Sequence, residues 1–545
     1  MPGVEDFPDL IQLRDELGEV TGLFSDHGAW FGVTWGERAN FEIHLRPAEA
    51  GARRALLHLG APFRGRTVWA DALEGDLLDG AHLRLGFVSP DALVVEVRHD
   101  REPRVGCDLP FSVVAAGEGR WLVVVAPEGG AVRDPDCLDA NRTRWDEMFR
   151  RAFHGLRLAG EAAAELAVAR AVTVLGWNRR APRGDLAHHG VIPSPFAYPG
   201  YWAWDSWKHA HALATVEPWL AAEQLRAQFQ RQDRDGQVPD TCMPQRSRDH
   251  WDNTKPPMAA WALEALWRQT EDRALLAELY PPCARQFVWW DRFRRRPGEA
   301  LHAAGGVDRR TAMWDSGWDD SRRFEEAPLE KGPGGWRLFR LWQPDLNTWL
   351  LGEARILARL ARVLDQDPAP FEADARRLEE GLRRLLDPDT GLWRDRLVEE
   401  DGSPGPFARL SSACWHPYWA GLGGEAEGRA LLEALEDGRR FGTPLPFPAL
   451  PRDDPGFDPD GYWNGAVWFD QAALAVAALE RLETGAGEEP LRRLLSAAAD
   501  HPNLYENYSP LTGAPAQGAR PAAPQFSWTA AAILEMARGG PTPFA

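Results

Sequence analysis

Hydrophobic positions along the chain change rhythm once. From residue 29 to residue 132 they fall in short runs, among them WFGVTW, FEIHLR, RALLHLG, HLRLGFV, ALVVEVRH and RWLVVVAP. Several runs alternate apolar with polar residues and are rich in β-branched side chains, as strands with one buried face require. Turn signals such as EGD, PDA, AGEG and PEGG separate them, so this part predicts an antiparallel β-sandwich.

After residue 139 the spacing becomes helical. The stretch LRLAGEAAAELAVARAVTVLG (156–176) is rich in Ala, Leu and Glu, all strong helix formers. Further helices are predicted over 218–232, 258–269, 274–294, 346–365, 370–386, 425–437, 466–483, 490–499 and 527–538. They come largely in pairs, with long loops of Trp, Pro, Gly and Asp between the pairs. Such loops are usually functional, because irregular backbone is costly to bury. The expected organisation is multidomain: a β-sandwich over 1–140, a linker over 141–165, and an all-α domain over 166–545. Helix hairpins would form a toroid with their loops gathered over one end.

Composition narrows the function classes. The 545-residue chain has 81 acidic against 62 basic residues, a net charge of −19. That disfavours a nucleic-acid partner, which calls for a basic face, and suits a small neutral ligand better. No run approaches the roughly 20 apolar residues of a membrane span. The start, MPGVEDFPDL, has no apolar signal core, so the expectation is a cytoplasmic protein without a membrane partner. The five cysteines are scattered, odd in number and without zinc-type spacing, so neither a disulfide framework nor a metal or other cofactor is expected. The acidic run RDDPGFDPDG (452–461) is rich in oxygen ligands for calcium, but it lacks regular spacing and reads better as a solvated turn.

Tryptophan outnumbers tyrosine by 26 to 7, and many of the rings stand beside acids. Three segments concentrate them: YWAWDSWKHA (201–210), MWDSGWDDSRR (313–323) and YENYSPLTG (505–513). Aromatic rings stack on the apolar faces of sugars, and paired carboxyls perform acid–base work at a glycosidic bond. The candidate carboxyls are Asp205, Asp315, Asp319, Asp320 and Glu506. Crowding and desolvation in the 315–320 group favour a proton on one of its acids. Taken singly, each acid has an ordinary explanation as a helix cap or an exposed turn. Their joint occurrence shifts the balance toward a carbohydrate site.

These pieces, with TKPPMAAWAL, DLNTWLLGEARILARLA, FDPDGYWNGAVWFDQ and FSWTAAAILEM, resemble in content and order glycoside hydrolase family 63, the processing α-glucosidase-like enzymes, and more distantly the trehalases. The likeness covers roughly Leu158 to Met536. It implies an (α/α)6 barrel catalytic domain behind the β-sandwich, and hydrolysis with inversion of a small α-glucoside or oligosaccharide, releasing glucose. It implies Asp319 as general acid, protonated, and Glu506 as general base, ionised and orienting water. Asp205 would hold sugar hydroxyls, and Trp204, Trp207, Trp318, Trp463, Trp468, Phe526 and Trp528 would line the pocket. Tyr201, Lys255, Asn464 and Gly465 complete the expected substrate-binding set.

The chain departs from the family pattern at three places. Asp315 replaces the usual Glu opening the acid motif, Asn464-Gly465-Ala466 loses an Arg and a Pro, and Lys255 replaces a Gln. The simpler reading of Lys255 is a salt bridge to Asp252 or a turn cap. The sharper one is pairing with an anionic aglycone such as glycerate, which some relatives accept. The alternatives to an α-glucosidase are therefore a trehalase or a glucosylglycerate or mannosylglycerate hydrolase. From other classes come a catalytically silent sugar-binding protein and a phosphorylase. The last would need a phosphate site, and Arg520 is the nearest base downstream of Glu506.

Overall fold

The computed structural model describes residues 2–10, 22–24, 31–35, 38–45, 53–126, 136–483 and 485–540. The expected PEGG turn (127–130) lies outside them. Alternation in the first part becomes a ten-stranded antiparallel sheet. The strand Arg53–Val68 runs through its middle, pairing by its first half with Arg38–Leu45 and by its second half with Leu73–Leu77. One face is buried in register: Phe41, Ile43, Leu57, Leu73, Leu83, Val95 and Val123 are closed from solvent.

The helix Cys137–Phe153 lies against this sheet. Its Trp145 packs on Gly176 of the next helix, Ala162–Trp177, so closely that a Cβ there would meet the indole at 2.5 Å. Trp177 Nε1 donates to Ala70 O at 2.8 Å, and Arg170 Nε to Leu10 O at 2.8 Å. Sheet and helices thus share one continuous apolar core. The stretch 141–165, expected as a linker, is occupied by most of the first of these helices and the start of the second.

Six helices touch in closed succession: Ala203–Val216, Ala259–Thr270, Pro344–Val363, His416–Trp419, Phe469–Leu482 and Ser527–Ala537. Between them in the chain come helices that lie outside the ring, among them Pro218–Phe229, Arg273–Phe293, Ala369–Arg383 and Glu488–Ala499. Sequence explains the contrast at its extremes. Ser527–Ala537 carries a single charged residue, Glu535, and buries 10 of its 11 residues, while Ala369–Arg383 is amphipathic and buries only 4 of 15. Most helix ends lie within three residues of those expected. Two cassettes expected in or beside loops run into helices to different extents: AWDSWKHA opens Ala203–Val216, and of the second cassette Met313 to Ser316 close Arg309–Ser316 while Gly317 to Ser321 are irregular. Their aromatic and acidic residues hid the helical period. No described helix is long and apolar enough to cross a membrane, and all five cysteines are free.

Candidate active site

Starts of ring helices and the loops before them converge on one pocket of about 380 Å³. Trp204 and Asp205 stand in the first turn of Ala203–Val216, whose entry is fixed by the short pairing of Tyr201–Trp202 with Thr241–Cys242. Asp319 follows Gly317, which ends Arg309–Ser316 at φ 83°. That left-handed turn suits glycine, and a Cβ there would strike the Trp204 ring at 2.2 Å. Glu506 sits on irregular backbone anchored by Glu506 N to Ala523 O at 2.9 Å. Trp463 and Trp468 precede Phe469–Leu482, and Phe526 and Trp528 flank the start of Ser527–Ala537.

The aromatic lining is tightly coupled. Trp463 and Trp468 stack at 4.0 Å and 5°, and Trp204 meets Trp528 edge-on at 4.6 Å. Beneath these rings Lys208 is clamped, its Nζ 3.4 Å from the Trp528 centroid and 3.7 Å from that of Trp204. Burial pushes its ammonium down, with Asp470 opposing through a 2.9 Å hydrogen bond. This arrangement is an aromatic-lined pocket with carboxyls among its rings, a setting in which ring faces can stack on a sugar.

The carboxyls differ in surroundings. Glu506 is buried, and Tyr198 and Tyr462 both donate to its Oε1, Tyr198 at 3.0 Å. Its Oε2 accepts from Ala523 N at 3.3 Å. Burial pushes the Glu506 carboxyl up to about 7, against the Tyr462 bond, the Arg520 charge and the Tyr198 bond. Asp205 is likewise pushed up to about 7 by burial, with Lys208 and Lys255 opposing and Glu506 reinforcing. Asp319 has Lys255 Nζ 3.4 Å from Oδ1 and Arg520 Nη1 3.4 Å from Oδ2. The expectation of an ionised Glu506 thus meets a pocket in which burial raises the carboxyls of both Glu506 and Asp205.

The three acids of the 315–320 group go separate ways. Asp315 is wholly buried in a bidentate pair with Arg294, at 2.9 and 3.0 Å. It also accepts from Thr254 N and Gly305 N, both at 2.9 Å. Asp320 accepts from Trp463 N at 3.0 Å and is pushed up by burial. Only Asp319 faces the cavity.

Of the expected site residues, Asp319, Glu506, Trp204, Asp205, Lys255, Trp463, Trp468, Phe526 and Trp528 line the pocket. The other five stand behind or beside it. Tyr201 is buried against Leu186 and Ile192, and Trp207 packs on Phe229 at 5.2 Å. Trp318 backs Trp463 at 4.6 Å, and Asn464 ties the two loops by accepting from Arg322 N and donating to Asp320 O. Gly465 lies where a Cβ would meet Asp458 O at 2.0 Å. Lys255 does not pair with Asp252: it donates to Trp314 O at 2.7 Å and lies 3.6 Å from Asp240. In the acidic run 452–461, Asp454 pairs with Arg409 at 2.6 Å and Asp460 Oδ1 accepts from Gln517 N.

Sequence reasoning left Tyr198, Trp202 and Tyr462 out of the site and weighed Arg520 only as the base that a phosphate site would need, and all four line the pocket. Tyr198, Trp202 and Tyr462 lie beside or inside the quoted motifs, where aromatic density was itself the signal. Arg520 sits among Gly, Ala and Pro residues and carries no local mark.

Comparison with known proteins adds the following. Residues 198–529 match the model of the mannosylglycerate hydrolase MGH1-like glycoside hydrolase domain. Mannosylglycerate hydrolase MGH2 of Selaginella moellendorffii is 26% identical over 420 residues, 63% of this chain and 81% of the relative. In fold, the chain is similar to the family 63 mannosylglycerate hydrolase of Thermus thermophilus, solved with Tris and D-glycerate. There the TM-score is 0.57 at 23% identity, over 68% of this chain and 99% of that one. A bacterial glucoamylase complexed with acarbose also aligns with a TM-score of 0.57 at 9% identity, over 94% of this chain and 92% of that one, so the likeness of fold extends to the N-terminal sheet.

Proposed function

Because the chain belongs to glycoside hydrolase family 63, in the group of the mannosylglycerate hydrolase MGH1-like domain, we propose that it hydrolyses a small α-glycoside of an anionic aglycone, of the α-mannosylglycerate or α-glucosylglycerate type, with inversion at the anomeric carbon. The observation that carries this reading is the meeting of Asp319 and Glu506 in one aromatic pocket with Lys255 and Arg520 on the Asp319 side. The names of the relatives support the choice of aglycone.

In this reading Asp319 gives its proton to the glycosidic oxygen, and Glu506 takes one from the attacking water. Tyr198 and Tyr462 hold Glu506 by Oε1, which leaves Oε2 to orient the water. Asp205 accepts hydroxyls of the sugar while Trp463 and its neighbours cover the apolar face. The neutral α-glucoside implied by the family resemblance is the second substrate class to test. We further read the closed ring of six helices as an (α/α)6 barrel over 166–545 and the N-terminal sheet as a β-sandwich over 1–140, joined through 141–165. The five free cysteines support a reducing, cytoplasmic setting.

Proton NMR of the purified protein with α-mannosylglycerate, α-glucosylglycerate, kojibiose and trehalose tests the proposal. Early appearance of the β-anomer from a glycerate glycoside is expected. Early α-anomer means retention and removes Glu506 as a water-activating base. Turnover of the neutral sugars alone removes the anionic aglycone.

A further inference from the structure

Asp319 is approached by two cations on two different oxygens, Lys255 on Oδ1 and Arg520 on Oδ2. A carboxyl that is to give up a proton must carry it on one oxygen. Lysine and arginine are donors only, so both contacts are charge-assisted hydrogen bonds to an ionised carboxylate, and a proton arriving on Asp319 weakens them. Withdrawal of one cation removes part of that cost before Asp319 acts as an acid.

The two cations are unequally held. The Lys255 side chain is 5% exposed, donates to Trp314 O at 2.7 Å, and has Asp240 at 3.6 Å. The Arg520 side chain is 46% exposed and belongs to a stretch, 516–523, without helix or strand. Its guanidinium lies over the Tyr462 ring at 4.1 Å, and its Nη2 donates to Tyr198 Oη at 3.0 Å. Tyr198 in turn donates to Glu506. Arg520 therefore spans both carboxyls of the pair, on the side of the pocket open to solvent.

We propose that Arg520 is a latch on Asp319, released when an anionic group on the aglycone draws its guanidinium away from Oδ2. This rests on the reading of Asp319 as the acid. Once released, Oδ2 takes a proton from solvent. In the hydrolysis that proton passes to the glycosidic oxygen as the anomeric C–O bond breaks and the aglycone leaves as an alcohol. Water forms the new C–O bond and gives its proton to Glu506, which returns it to solvent. The charge of the aglycone thereby assists its own cleavage. A neutral aglycone leaves the latch closed for longer and reacts more slowly even when bound.

Steady-state kinetics of the full chain and of Arg520→Gln test this, with an α-glycosylglycerate and its methyl ester as substrates. The two share every reacting atom and differ in one charge. In the unaltered protein the acid should exceed the ester in kcat by about tenfold or more, the scale of one charge-assisted hydrogen bond. In Arg520→Gln the ester should gain kcat, the acid should rise in KM, and the kcat ratio should fall toward one. Arg520→Lys, a weaker and less planar donor, should lie between. A kcat ratio unchanged in Arg520→Gln, with KM for the acid alone raised, makes Arg520 a binding residue and overturns the latch while leaving the hydrolase reading intact. Failure of the unaltered protein to cleave either compound overturns the hydrolase reading and the latch together.

Discussion

Two groups of charged side chains sit on either side of the loop that carries Asp319, and they are built to opposite rules. Behind the loop, Asp315 accepts four hydrogen bonds of 2.9 to 3.0 Å. Nearby, Arg323 is bound in bidentate fashion to both Asp345 and Asp395, at 2.6 to 2.8 Å. Its guanidinium lies 4.2 Å from the centroid of Trp318, the ring that backs Trp463. In front of the loop, Asp319 has two contacts of 3.4 Å and Glu506 keeps Oε2 on a single bond of 3.3 Å. A carboxylate that holds structure is saturated with short bonds, because an unpaired buried charge is expensive. One that reacts keeps bonding capacity turned toward a cavity. The closed group anchors the loop at residues 315 and 323, and Asp319 between them keeps the bonding capacity that the proposed acid requires.

The contrast can be broken in graded ways. The largest effect belongs to the open group: Glu506→Gln or Asp319→Asn should lower kcat by about 10²- to 10⁴-fold while the melting temperature stays within a few degrees. Parallel activity and thermal-melt measurements check this, and equal loss of both would place these acids with the closed group. Next comes Arg323→Met, which strands Asp345 and Asp395 without their cation and should cost about 3–5 kcal/mol in urea unfolding. A cost under about 1 kcal/mol would mean that the closed group does not anchor the loop.

A smaller effect sharpens the open side. As the proposed base Glu506 must be ionised to accept a proton from water, and burial places its carboxyl at about 7. The acidic limb of the kcat/KM profile should therefore have its midpoint near that value, with activity falling as pH drops through it. Tyr462→Phe removes a bond that favours the ionised form, so the midpoint should move upward. A pH–rate profile of both proteins measures the shift, and a downward movement would contradict the assigned cause. The smallest effect is on the surface. Glu425→Ala breaks an exposed pair with Arg429 and should change stability by less than about 1 kcal/mol, a baseline against which Arg323→Met is read.

Much of this was legible in the chain. Alternating runs such as FEIHLR marked the sheet, because period-two burial is local to a strand. The largely apolar Ser527–Ala537 and the amphipathic Ala369–Arg383 differ in pattern as a buried and a surface helix must. The acids of the pocket and five of its eight rings were found through motif content. The helix at 203–216 was less visible, since its Trp and Lys residues are buried around a pocket and beneath an aromatic floor instead of on one apolar stripe.

Sequence by itself determined the two-part architecture, four of the six ring helices as helices, and the short list of carboxyls from which the pair was drawn. Tertiary structure alone decided which acid in 315–320 meets the cavity, that Tyr201, Trp207 and Trp318 support the pocket without lining it, and that Arg520 reaches Asp319. The reason is physical. Burial of an element is written in its own periodicity, whereas the saturation of a carboxyl depends on donors such as Arg294, Thr254 and Gly305, which only the folded chain brings within bonding distance.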